Sequence, residues 1–196
     1  MKVAVLASHE GSTLQAIIDA IREGRLPRTE LALVISNNPD AGALRRAAEA
    51  RVPTAVLSGR THPDPERLDE AIHDALARHG VELVVLAGYM KKLGPRVLTA
   101  YTRRIINTHP ALLPKYGGKG MYGLHVHRAV VEAGDKVTGA SVHWVEAEYD
   151  TGQVIAQVTV PVMPSDTPEV LAERVKASER ELLVETVDRL SRGGVG

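Results

Sequence analysis

Apolar positions recur along the chain in two alternating rhythms. Val3–Leu6 is a short, continuous apolar run, and Leu14, Ile17, Ile18 and Ile21 then return at helical spacing. Glu30–Ser36 reads as a second strand, Asn37-Asn38-Pro39-Asp40 as a turn, and Ala41–Ala50 as a helix. Thr54–Leu57 predicts a short strand and Pro63–Arg78 an amphipathic helix closed by His79-Gly80. Val81–Ala87 is the most continuous apolar run and reads as a central strand, followed by a short helix at Pro95–Tyr101 and a strand at Arg104–Asn107. This alternation predicts a doubly wound, Rossmann-like α/β fold with a mostly parallel sheet.

The rhythm changes after Asn107. Pro110–Gly123 is rich in proline and glycine and reads as a loop, and Leu124–Glu132 as a short helix. Thr138–Val145 and Val154–Val160 alternate around a turn at Tyr149–Gly152 and predict a late antiparallel pair. Thr167-Pro168-Glu169 opens a last helix running to about Leu190. The expected organisation is a single domain over residues 1–192 with a frayed tail at 193–196.

Composition narrows the chemistry. With 196 residues the chain can bury roughly 70% of its unfolded surface and needs no staples. It has no cysteine, so disulfides, thiol nucleophiles and Cys-ligated zinc are excluded. Lys+Arg and Asp+Glu are both 24, which gives no electrostatic case for a nucleic-acid partner. No apolar run reaches the about 18 residues of a membrane span, and no secretory n-region precedes Val3, so a cytoplasmic protein is expected. The sequence does not fix the oligomeric state; a homodimer is compatible with it.

Two segments carry candidate chemistry. Strand Val3–Ala7 feeds Ser8-His9-Glu10-Gly11-Ser12-Thr13-Leu14-Gln15, in which Ser12 and Gln15 have capping-box spacing. A strand, a tight turn and a helix N-terminus form an anion site, although Glu10 opposes an anion unless it points away. Asn107 and His109 stand two apart at a strand end, so an extended chain puts them on one side. An amide and an imidazole there can hold an oxyanion, and Asp150, in the later turn, can orient the imidazole or a water. Local sequence alone favours plainer readings: a capped turn for the first segment, a backbone cap for Asn107 or His109, and an Asx turn for Asp150. His125, His127 and His143 match no common metal spacing, so no metal is expected; His127 reads as a surface helix residue and His125 as a loop contact. Glu179 falls inside the apolar stripe of Leu171, Val175, Leu182, Leu183 and Leu190, where a carboxylate needs a partner.

Asn107-x-His109-Pro110 with Leu112-Leu113-Pro114-Lys115-Tyr116, Ser141-Val142-His143 and Asp150-x-Gly152 resembles the folate-dependent formyltransferase family over nearly the whole chain. That family holds enzymes that formylate glycinamide ribonucleotide or methionyl-tRNA, and a formyltetrahydrofolate hydrolase. The chain's length and its Gly11-Ser12-Thr13-Leu14-Gln15 turn are most similar to the ribonucleotide branch, which works in purine biosynthesis. The resemblance implies 10-formyltetrahydrofolate as donor, no metal, and glycinamide ribonucleotide as acceptor. It implies Asn107, His109 and Asp150 as catalytic residues. By the same resemblance Gly11, Ser12 and Thr13 hold the substrate phosphate, Lys115 borders that substrate, and Glu179 binds its ribose. Tyr89, Met90, Lys91, Lys92 and Leu93, with Asn107, His143, Val145 and Asp150, are the implied folate contacts. The chain departs from the family at Glu10, Thr13 and Lys91, and in the longer stretch Gly117–Gly123, which reads as a flap over the substrate or a plain surface insertion.

Overall fold

A computed structural model describes residues 1–193. Its strands form one seven-stranded sheet in the order β3-β2-β1-β4-β5-β6-β7. In chain order they are β1 Lys2–Leu6, β2 Glu30–Ser36, β3 Thr54–Val56, β4 Leu83–Leu86, β5 Ile105–His109, β6 Val137–Trp144 and β7 Val154–Pro161. The helices are α1 Ser12–Arg22, α2 Gly42–Glu49, α3 Pro65–Arg78, α4 Pro95–Ala100, α5 Leu124–Glu132 and α6 Pro168–Gly193. β1 pairs in parallel with β2 and β4, β2 with β3, and β6 runs antiparallel to β7. The fold class is the expected one. Boundaries differ by one or two residues: α3 begins at Pro65 rather than Pro63, and β5 runs on to His109. The last helix extends to Gly193, so that residue is helical rather than frayed; the rest of the expected tail, residues 194–196, lies outside the described residues.

Among the described residues the chain forms two compact units, residues 1–106 with 187–193, and residues 107–186. In the first, the central strands are buried on both faces: Val3, Ala4, Val5, Leu6, Val84 and Val85 are fully buried. Continuous burial is why these strands read as apolar runs rather than as alternations. The strand order reverses at β1 and β4, and in open parallel sheets ligands bind beyond the carboxyl ends of strands at such a reversal. Asp69 of α3 is buried, and its carboxylate accepts from the N–H groups of Arg96 and Val97, which caps α4. In the second unit β6 is buried from Thr138 to His143, while β7 alternates between covered and open positions. Arg174 of α6 grips Asp166 with two parallel bonds of 2.6 and 2.7 Å and fixes the chain's entry into that helix.

Candidate functional site

In the first unit, the turn after β1 is built by backbone. Gly11 is the N-cap of α1 with φ +71°, and a Cβ there would stand 2.7 Å from Ala43 Cα, so glycine is required. The capping box expected from Ser12 and Gln15 does not form. No side chain caps the helix; the Gln15 amide instead donates to Asp19 and accepts from Arg46. The reason is the left-handed N-cap, which moves the cap from Ser12 to Gly11. Glu10 is turned to α2: its Oε2 lies 2.7 Å from where a Cβ on Gly42, the first residue of that helix, would stand. A helix N-terminus stabilises that charge. The first turn of α1 holds no acid and no side-chain cap, and the N–H groups of such a helix start can receive an anion.

The segment after β4 meets this turn. Ser8 N–H donates to the Gly88 carbonyl, and Ser8 Oγ accepts from Met90 N–H and donates to Asn37 Oδ1. One hydroxyl thereby ties together the segments following β1, β2 and β4. Of the implied folate contacts here, Met90, Lys91 and Lys92 are exposed, Tyr89 is half-buried and Leu93 is buried. Burial pushes the Tyr89 hydroxyl up to about 12, so it remains a donor.

In the second unit, β5 alternation separates Thr108 from Asn107 and His109. The Thr108 hydroxyl donates to Glu179 Oε1 at 2.6 Å, which is how a carboxylate is accommodated in the apolar stripe of α6. Burial raises the Glu179 carboxyl, opposed by the Thr108 bond and then by Arg180 and Lys176. On the other side, Asn107, His109, His143 and Asp150 converge. Asp150 Oδ2 is 3.5 Å from His109 Nδ1, and Asp150 Oδ1 is 3.4 Å from His143 Nε2. Asn107 Nδ2 is 3.2 Å from His143 Nε2. His143 Nδ1 donates to the Trp144 carbonyl, so the neutral ring accepts from Asn107 through Nε2, and the charged ring donates to Asp150. His109 Nε2 donates to the Tyr116 carbonyl at 2.7 Å, and Gly118 N–H donates to Asp150 Oδ2 at 2.9 Å.

Asp150 sits in a left-handed turn, φ +56°, and the close approach is made by Gly152: a Cβ there would lie 1.9 Å from the Trp144 carbonyl oxygen. Burial pushes the Asp150 carboxyl up, but His143, the His109 charge and the Gly118 N–H together hold it below the ordinary carboxylate value. Burial lowers His109 against the raising influence of Asp150 and the Tyr116 carbonyl. The cluster is thus a carboxylate beside a buried imidazole with an amide donor at hand. That arrangement can stabilise an oxyanion and pass a proton.

Two histidines differ from the sequence reading. His127 is buried at 2% exposure on α5, not on its surface; burial, then Lys176 and His109, lower it to about 4. His125 is an exposed helix residue, edge-on to Tyr122, rather than a loop contact. Among the described residues no group of three or more His, Cys, Asp or Glu is placed to hold a metal ion. Val145 follows β6 and is half-buried. Lys115 Nζ bonds both oxygens of Asp135, at 2.8 and 2.6 Å. Sequence reasoning missed Gln157, which bonds the Leu113 carbonyl and Ser141 Oγ, while the buried Ser141 bonds Ala111 and Leu113; this knot anchors the base of the loop after β5. Its only sequence signal is a polar residue inside an apolar strand.

The formyl transferase family model matches residues 1–187. A phosphoribosylglycinamide formyltransferase of Haemophilus influenzae is 41% identical, covering 92% of this chain and 82% of its own length. The chloroplastic enzyme of that name from Arabidopsis thaliana is 39% identical over 95% of this chain, which spans 64% of that relative. The crystal structure of glycinamide ribonucleotide transformylase 1 from Symbiobacterium toebii superimposes with a TM-score of 0.91 at 40% identity, covering 98% of this chain and 88% of the other.

Proposed function

Because the chain belongs to the formyl transferase family, we propose that it moves a formyl group from 10-formyltetrahydrofolate to the primary amine of glycinamide ribonucleotide, a step of purine biosynthesis. The observation that carries this reading is the convergence of Asn107, His109 Nδ1 and Asp150 at the carboxyl end of β5. The amine nitrogen bonds to the formyl carbon, and the carbonyl oxygen becomes an oxyanion. One hydrogen of the Asn107 amide engages His143 and the second serves the oxyanion. The amine's proton leaves through a water held by Asp150. His109 Nδ1 holds that proton against the oxyanion and delivers it to the folate nitrogen as the carbon–nitrogen bond breaks. No covalent enzyme intermediate is needed.

Gly11, Ser12 and Thr13 receive the phosphate at the start of α1, and Glu179 receives the ribose hydroxyls. Tyr89, Met90, Lys91, Lys92 and Leu93, with His143 and Val145, contact the folate. The test is a spectrophotometric assay of formyl loss from 10-formyltetrahydrofolate with and without glycinamide ribonucleotide. The expected result is turnover only with the ribonucleotide. Equal turnover without it would identify a hydrolase and overturn the acceptor.

A further inference from the structure

The two ring nitrogens of His109 face different partners. Nδ1 looks to Asp150 at 3.5 Å, while Nε2 meets the Tyr116 carbonyl at 2.7 Å. A carbonyl only accepts, so Nε2 carries a proton and Nδ1 is the nitrogen left to the Asn107–Asp150 cluster. The position of that carbonyl depends on Tyr116, whose φ of +58° is one that residues with side chains rarely adopt. Such a conformation persists only when its surroundings hold it.

The surroundings here are specific. The Tyr116 hydroxyl donates to Asp135 Oδ2 at 2.8 Å. Lys115 bonds the same carboxylate through both oxygens, and its ammonium stands 4.9 Å from the centroid of the Tyr116 ring. Two residues further on, Gly118 N–H grips Asp150. One short segment therefore supplies the acceptor for His109 and a donor for Asp150, and it is fastened from outside the cluster by Asp135, just beyond α5.

We infer that Lys115, Tyr116 and Asp135 form a positioning clamp, which holds the Tyr116 carbonyl on His109 Nε2 so that Nδ1 serves the transfer. None of the three touches the reacting atoms in this role, and Lys115 acts through Asp135 rather than on substrate. The activity readout rests on the formyl-transfer reading; the state of the ring does not.

The experiment uses the full chain with ¹⁵N-labelled histidine, its His109 signals assigned by their loss in His109→Gln. In the parent protein at neutral pH, Nε2 of His109 gives the signal of a protonated nitrogen. In Asp135→Ala the ring becomes a mixture of tautomers. Its kcat falls roughly ten- to a hundredfold, with either KM changed less than about twofold, as expected of a misplaced catalytic group. Asp135→Asn retains an acceptor for the Tyr116 hydroxyl and recovers most of kcat. Tyr116→Phe removes only that hydroxyl, and it decides the matter if Asp135→Ala does not fold. An unchanged His109 signal in a folded clamp variant overturns the inference, whether or not kcat falls. Parent protein that is inactive but shows the expected signals and their change in Asp135→Ala sinks the formyl-transfer reading and leaves the clamp standing.

Discussion

The turn after β1 and the cluster at the carboxyl end of β5 are both built on buried strands, yet they are made from different materials. The first is a backbone device: a left-handed Gly11 against Ala43, a helix start without a side-chain cap, and a Glu10 turned to another helix. The second is a side-chain device, in which Asn107, His109, His143 and Asp150 hold one another through polar contacts. A backbone device tolerates side-chain change and fails when its geometry changes. A side-chain device fails when one functional group is removed, with the fold intact.

The sharpest test of that contrast is Asp150→Asn. It keeps the shape of the turn, so circular dichroism should be unchanged, while kcat should drop by roughly 10²–10³, the usual cost of disarming an oxyanion site. Wild-type-like turnover would remove the side-chain device from the mechanism. Gly11→Ala attacks the other device. It adds a Cβ at positive φ against Ala43 and should cost on the order of 1–3 kcal/mol in urea unfolding. In kinetics it should raise KM for the phosphorylated acceptor more than it lowers kcat.

A third expectation concerns acid. The unfolded His127 imidazole takes up a proton near its ordinary 6.5, the folded one only near about 4. The unfolded state therefore binds more protons between those values, so stability is full above 6.5 and declines as the pH falls toward 4. Between pH 7 and pH 5 this amounts to roughly 2 kcal/mol, and His127→Met should remove that slope from the urea midpoints. The smallest effect belongs to Ser12→Ala. Since Ser12 does not cap α1, stability should stay within about 0.5 kcal/mol of the parent. A loss of about 1 kcal/mol or more would restore the capping box.

What was legible in the sequence follows the same division. Buried parallel strands announce themselves as apolar runs because both faces are covered, and Glu30–Ser36 matches the structure end to end, as does the helix Leu124–Glu132. Asn107 and His109 share a side because a strand has a period of two, and Glu179 stood out because it broke a helical stripe. Features set by distant partners were not legible. His127 looked like a surface residue because nothing local buries it. Ser12 looked like a cap because local sequence shows neither the left-handed φ of Gly11 nor its close approach to Ala43, far along the chain. The partner of Lys115 was not visible because Asp135, which it bonds, is 20 residues away. The roles of the site residues came from the N-x-H-P and D-x-G spacing and its resemblance to a family, not from periodicity.

Gly152 has a consequence at the level of the gene. A Cβ at this position would fall 1.9 Å from the Trp144 carbonyl oxygen, and the obstacle is backbone rather than the end of a flexible side chain. Every amino-acid replacement reachable from a glycine codon by one base change carries a Cβ. The position therefore has no tolerated missense neighbour, and random mutagenesis under selection should return it either unchanged or together with a compensating shift between Trp144 and Asp150.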